Sequence, residues 1–125
     1  MFTTLVQVAL GGALGASARY LTGTAALRLI GPGFPWATLL VNVVGSFLMG
    51  VLVIWFAQRD LARLQPLLMT GLLGGFTTFS AFSLDAVSLW QRGETSGAAL
   101  YVGASVVLSL AALLAGIGAA RGLLA

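Results

Sequence analysis

The chain contains no cysteine, no histidine and no lysine. Catalytic dyads built on Cys or His are therefore excluded, and so are soft or imidazole metal sites. Charge is scarce, with six arginines and three acids among 125 residues. The arginines are scattered at positions 19, 28, 59, 63, 92 and 121, so the net charge of +3 makes no basic patch and nucleic-acid binding is not expected. Arg19 is the first basic residue. A secretory leader needs basic residues ahead of its apolar core, so the first apolar segment reads as a retained membrane helix. What the chain has in plenty is apolar surface. Its residues are 59% hydrophobic, too many for a soluble domain of this size. A spanning helix takes about 20 residues. The expectation is one all-α transmembrane domain over residues 1–125, with four helices and short connections.

The first segment runs from about Phe2 to Ile30 and carries Arg19. Within it, Gly11 and Gly15 have the G-x-x-x-G spacing that lets another helix approach closely. The sequence GPGFPW, Gly31 to Trp36, is a turn with two prolines. A second helix is expected from Trp36 to about Ala57, with Trp36 and Trp55 at opposite interfaces. The polar stretch Gln58–Gln65 leads to Pro66, an acceptable first residue for a third helix ending near Trp90. After the connection Gln91–Gly97, a fourth helix covers about Ala98 to Ala120. Four spans place Arg59, Arg63 and Arg121 on one side and Arg28 and Arg92 on the other, with Arg19 joining the latter if it snorkels. Orientation follows the Lys/Arg imbalance. So even a balance gives little instruction, which leaves room for insertion both ways and antiparallel pairing.

One stretch interrupts the apolar pattern. Gly71–Ser83, GLLGGFTTFSAFS, mixes glycine, hydroxyls and phenylalanine inside the third segment. Each of the adjacent Gly74 and Gly75 weakens a helix by roughly 1 kcal/mol against alanine. Thr77, Thr78, Ser80 and Ser83 can satisfy the backbone groups that a broken helix frees. The reading is a discontinuous membrane helix, a usual place for an ion or substrate site. Unwound carbonyls at Gly74–Thr77 can hold a cation, or bond internally in a simple kink.

Other polar groups stand out because they are costly in a membrane and tend to be functional. Asn42 has Ser46 four residues on, and either lines a site or only bonds between helices. Tyr101, Ser105 and Ser109 form an i, i+4, i+8 stripe of hydroxyls about 12 Å long on one side of the fourth helix. Phe79 and Phe82 share a face. Aromatics at that spacing are usually core or lipid contacts, but ring edges are weakly positive. Beside hydroxyls and an amide they replace part of an anion's hydration without trapping it. Arg19 suits a mouth that concentrates anions, and Asp85 suits pairing with a donor.

The motifs GGxxGAxxRY (Gly11–Tyr20), TLLVNVVGSFLMG (Thr38–Gly50) and GLLGGFTTFSAFS (Gly71–Ser83), followed by Tyr101 and Ser105, resemble the Fluc/CrcB fluoride channels. The resemblance covers nearly the whole chain, and the Gly-Gly-x-Thr-Thr-Phe-Ser element is its specific part. It implies an antiparallel, dual-topology homodimer in a bacterial inner membrane, with two pores that pass fluoride out of the cell passively. It further implies that Asn42, Phe79, Phe82, Tyr101, Ser105 and Ser109 line the pore, with Arg19 near its entrance. A structural sodium ion would be held by the backbone carbonyls of Gly74 and Thr77 from both subunits. The chain departs from the family pattern at Ala37, Ala81 and Asp85, where members often have Gly, Thr and Glu. Two other classes fit the bare sequence less well. One is a small proton-coupled, dual-topology multidrug exporter, which needs an embedded carboxylate that the first helix lacks. The other is a non-transporting assembly subunit, which leaves Asn42 and the hydroxyl stripe unexplained.

Overall fold

The computed structural model describes residues 1–124 and is almost wholly helical. Helix α1 spans Phe2–Leu29 and α2 spans Trp36–Arg59. A 3-10 turn, Ala62–Leu64, leads to a π-helical segment, Pro66–Leu73, which runs into the short α3, Gly74–Phe76. After a break at Thr77–Thr78 come α4, Phe79–Gln91, and α5, Thr95–Leu124. In space these make four rods, the third of them broken. The break falls at Thr77–Thr78, at the end of the expected Gly74–Thr77 stretch: the paired glycines themselves stay helical, Gly74 with φ −62° and ψ −37°, and the two threonines are extended. Two ends differ from expectation. Helix α2 continues to Arg59 and stops where Asp60 takes a left-handed conformation, φ 54°. Helix α5 starts at Thr95, because Ala98 N–H already bonds to Glu94 O at 2.8 Å and winds the polar residues into its first turn.

Three stretches are long and apolar enough to cross a bilayer, namely Trp36–Arg59, Ala62–Gln91 and Thr95–Leu123. This is a multi-pass membrane protein. Helix α1 is more dilute in apolar residues, since glycine, threonine and Arg19 interrupt it. Its 28 residues still rise about 42 Å. At its start Gln7 Nε2 reaches Arg63 O at 3.5 Å, and just past its end Gly33 O accepts from Arg92 at 3.1 Å. Helix α1 thus runs the full height of the bundle, from the 58–65 connection to the 91–94 connection.

Lipid tails are as apolar as leucine, so rods in a bilayer associate by close packing. Helix α1 lies along the π segment and α3, α2 lies along α5, and α4 rests on α5. Glycine permits each close approach. A Cβ on Gly15 would overlap the Leu72 carbonyl and come within 2.8 Å of the Phe76 nitrogen, and one on Gly75 would stand 2.7 Å from Gly12 O. Between α2 and α5, Gly50 lies against the Leu113 carbonyl and Gly116 against that of Phe47. The G-x-x-x-G pair of α1 is a packing device within the chain. Near one end, Leu39, Leu89, Ala98 and Tyr101 form a small buried cluster, covered by Phe34, Val43, Phe82 and Ala86.

Candidate functional site

The site is built around the break. Leu73 O accepts from both the Thr77 N–H, at 3.0 Å, and the Thr77 hydroxyl, at 2.9 Å. The chain then turns extended through Thr77 and Thr78 before α4 begins. Thr78 caps α4, its Oγ1 accepting from Ala81 N–H at 3.2 Å, as threonine does at a helix start. Ser83 Oγ donates back to Phe79 O at 3.0 Å, and Ser80 Oγ lies 3.3 Å from Thr78 Oγ1. The hydroxyls of Thr77, Thr78 and Ser83 thus serve the backbone as expected, whereas that of Ser80 meets the Thr78 hydroxyl instead.

Two other helices also hold the break. From α2, Asn42 Oδ1 accepts from Thr78 N–H at 2.8 Å and Asn42 Nδ2 donates to Thr78 O at 3.0 Å. From α1, Arg19 Nε donates to Gly75 O at 3.0 Å. Arg19 therefore does not snorkel to a membrane end; it is tied to the middle of the chain's broken rod. These partners redirect the donors that an unbroken helix would use. Thr78 N–H goes to Asn42 and not to Gly74 O. Ala81 N–H goes to the Thr78 hydroxyl and not to Thr77 O. Among the described residues, the carbonyls of Gly74 and Thr77 accept no hydrogen bond.

A groove of about 440 Å³ opens beside the break. Asn42 and Ser46 of α2, Gly74, Thr77 and Thr78, Phe79 and Phe82 of α4, and Ser105 and Ser109 of α5 all line it. Gly45, Met49, Leu73, Val106, Leu110 and Leu113 complete the wall, so no charged side chain faces the groove among the described residues. The rings of Phe79 and Phe82 lie 5.5 Å apart, and Phe79 is 78% exposed at the rim. Ser105 is buried, and its Oγ has no partner among the described residues. A buried hydroxyl without a partner is costly, and its persistence asks for a reason.

Tyr101 and Arg19 stand apart from the groove wall. Tyr101 is fully buried behind Phe82, with ring centroids 5.3 Å apart, and its hydroxyl donates to Asp85 Oδ2 at 3.2 Å. Arg19 lines a separate cavity of about 350 Å³ on the other side of Thr78, with Thr38, Val41 and Ala81. Sequence reasoning missed the groove role of Gly45, where a Cβ would collide with the Thr77 methyl. It also missed Phe34 and Arg92. The pair of prolines around Phe34 was the available signal that its backbone is fixed.

A bundle of membrane-crossing rods with a broken helix beside an uncharged, mainly apolar groove dotted with an amide and hydroxyls defines an integral membrane protein of the broken-helix kind used for ion and solute sites. The chain belongs to the CrcB family: the model described as "CrcB-like protein, Camphor Resistance (CrcB)" matches residues 6–117. It is 65% identical over 125 residues to a protein of Cereibacter sphaeroides, with 100% of each chain covered. It is 58% identical to a protein of Ruegeria sp., covering 99% of each chain, and 57% identical to one of Paracoccus denitrificans, covering 98% of each. All three relatives are named fluoride-specific ion channel FluC.

Proposed function

We propose that the chain is the subunit of a fluoride-selective channel, not an enzyme, that exports cytoplasmic fluoride passively and so confers resistance to it. The observation that carries this is the groove wall. Two phenyl rings, an amide and hydroxyls, the buried Ser105 among them, line one space with no charged side chain in its wall. A small anion shedding water meets dipoles set among apolar side chains there, and no charge that would hold it back from leaving. The relatives' names point the same way. Hydrogen fluoride crosses lipid as a neutral acid and ionises in a near-neutral cytosol, which traps the anion. A membrane potential negative inside then drives the anion out by about 2.3 kcal/mol per 100 mV. Asn42, Phe79, Phe82, Ser105 and Ser109 line the path, Tyr101 backs it from behind Phe82, and Arg19 draws anions towards it from the cavity on the other side of Thr78.

The working unit is an antiparallel, dual-topology homodimer in the bacterial inner membrane. Three features support pairing: the groove lies open on one side of the chain, Phe79 is exposed at its rim, and arginines are near balance, three at one end and two at the other. The free carbonyls of Gly74 and Thr77 are hard oxygen donors that fit a sodium ion, and two copies together offer twice the number. When bound, the ion would supply a fixed positive charge that holds the two breaks together. Purified protein in liposomes tests the reading. Fluoride efflux with no chloride efflux is expected and needs no proton gradient; efflux of both anions, or of neither, overturns it. Replacing sodium by a bulky organic cation should lower the dimer fraction in detergent, and an unchanged fraction removes the ion.

A further inference from the structure

Five aromatic rings follow one another from the groove to one end of the bundle. Successive centroids are 5.5 Å apart for Phe79–Phe82, 5.3 Å for Phe82–Tyr101, 5.5 Å for Tyr101–Phe34 and 4.7 Å for Phe34–Trp36. The last two rings come from the connection between α1 and α2 and the first residue of α2. Phe34 meets Tyr101 edge to face, with 89° between their planes.

The backbone of that connection is shaped to turn Phe34 inward. Gly31 and Gly33 have φ of 93° and 114°, a region that glycine enters without a steric penalty, and Pro32 and Pro35 fix their own φ. Arg92 clips the connection from across the bundle. Its Nη2 donates to Gly33 O at 3.1 Å and pairs with Glu94 at 3.1 Å. Beyond Phe34 lies a surface pocket of about 430 Å³, bounded by Phe34, Leu89 and residues 93–97. Phe34 and Tyr101 therefore stand between the groove and this outer pocket.

We propose that Phe34 is the ring of the ion path that borders the outer pocket and forms the constriction between it and the groove, and that Arg92 is the positioning residue that holds it there. The inference rests on the fluoride-channel reading. A ring placed here extends the weakly positive lining by one more step and adds no charge. It also closes the end of the path to ions too large to slip past two rings that meet edge to face.

The test is initial efflux from liposomes, normalised to incorporated protein. Phe34→Ile keeps the bulk and removes the ring edge, and it should lower fluoride flux by about tenfold. Phe34→Tyr should restore flux to near the wild-type rate, and Phe34→Ala should admit chloride, which a merely structural ring would not do. Trp90→Leu, exposed at the same end, is the control and should leave flux unchanged. Arg92→Gln alters only an exposed side chain, reports even if Phe34→Ile does not reconstitute, and should lower flux by about threefold. If the wild type conducts fluoride while Phe34→Ile and Arg92→Gln conduct at its rate, the constriction is refuted and the channel reading survives. If the wild type itself conducts none, it is the channel reading that fails.

Discussion

The side-chain amide of Asn42 binds the backbone of Thr78 at both ends, taking its N–H at 2.8 Å and giving to its C=O at 3.0 Å. One residue of α2 thereby replaces the helix bond that the Thr78 N–H loses at the break and adds a donor to the Thr78 carbonyl. It does so from the wall of the groove, so its packing role and its site role are one. Asn42→Ala leaves the Thr78 N–H without a partner and takes one donor from its carbonyl. A loss of about 1–3 kcal/mol is expected, read as a lower unfolding temperature in detergent. A variant that unfolds with the wild type would detach Asn42 from the break.

Ser105 gives the opposite balance between stability and transport. Its buried hydroxyl has no partner within the described chain. Ser105→Ala removes that unsatisfied group, so thermal stability should hold or rise by up to about 1–3 kcal/mol. Fluoride flux should fall in the same preparation. Equal falls in both measurements would mean that the hydroxyl is structural.

The proposed conduction asks Phe79 and Phe82 for ring edges, not simply bulk. Phe79→Ile and Phe82→Ile should each lower fluoride flux while the protein still assembles, as judged by size-exclusion chromatography. Unchanged flux in both variants would take the aromatic lining out of the mechanism.

Glycines of α1 offer an internal comparison on one helix. A Cβ at Gly15 meets the backbone of Leu72 and Phe76, whereas one at Gly12 meets nothing within 4 Å. Gly15→Ala should destabilise the chain by about 1–3 kcal/mol, the range for overpacking. Gly12→Ala should be neutral or slightly stabilising. Comparable unfolding temperatures for the two variants would contradict the close approach of α1 to the broken rod.

The break and the groove were legible in the sequence because both rest on local chemistry. Adjacent Gly74 and Gly75, followed by threonines, weaken one helix at one point. Asn42, Ser46, Ser105 and Ser109 announce themselves as polar groups among apolar ones. The π winding of Pro66–Leu73 was not legible, because no residue in it demands an extra residue per turn; α1 packs along this segment, and Gly71 lies against Val8 and Gly11. Arg19 read as an end charge, yet its partner is a carbonyl 56 residues away that is free only because the helix is broken. Tyr101 belonged to the hydroxyl stripe by spacing, but Phe34 and Phe82 cover its ring and bury it. Phe34 itself could not be assigned a direction until the two prolines and Arg92 fixed its loop.

The uncharged wall of the groove has a consequence for acid stress. No side chain on it gains or loses a proton near neutrality, so acidity has nothing there to switch. Acid surroundings are also the condition that loads a cell with the neutral, lipid-soluble form of the toxin. A conduit gated by protonation would shut or open with the very challenge it meets, whereas the wall of this groove holds no group to serve as such a gate.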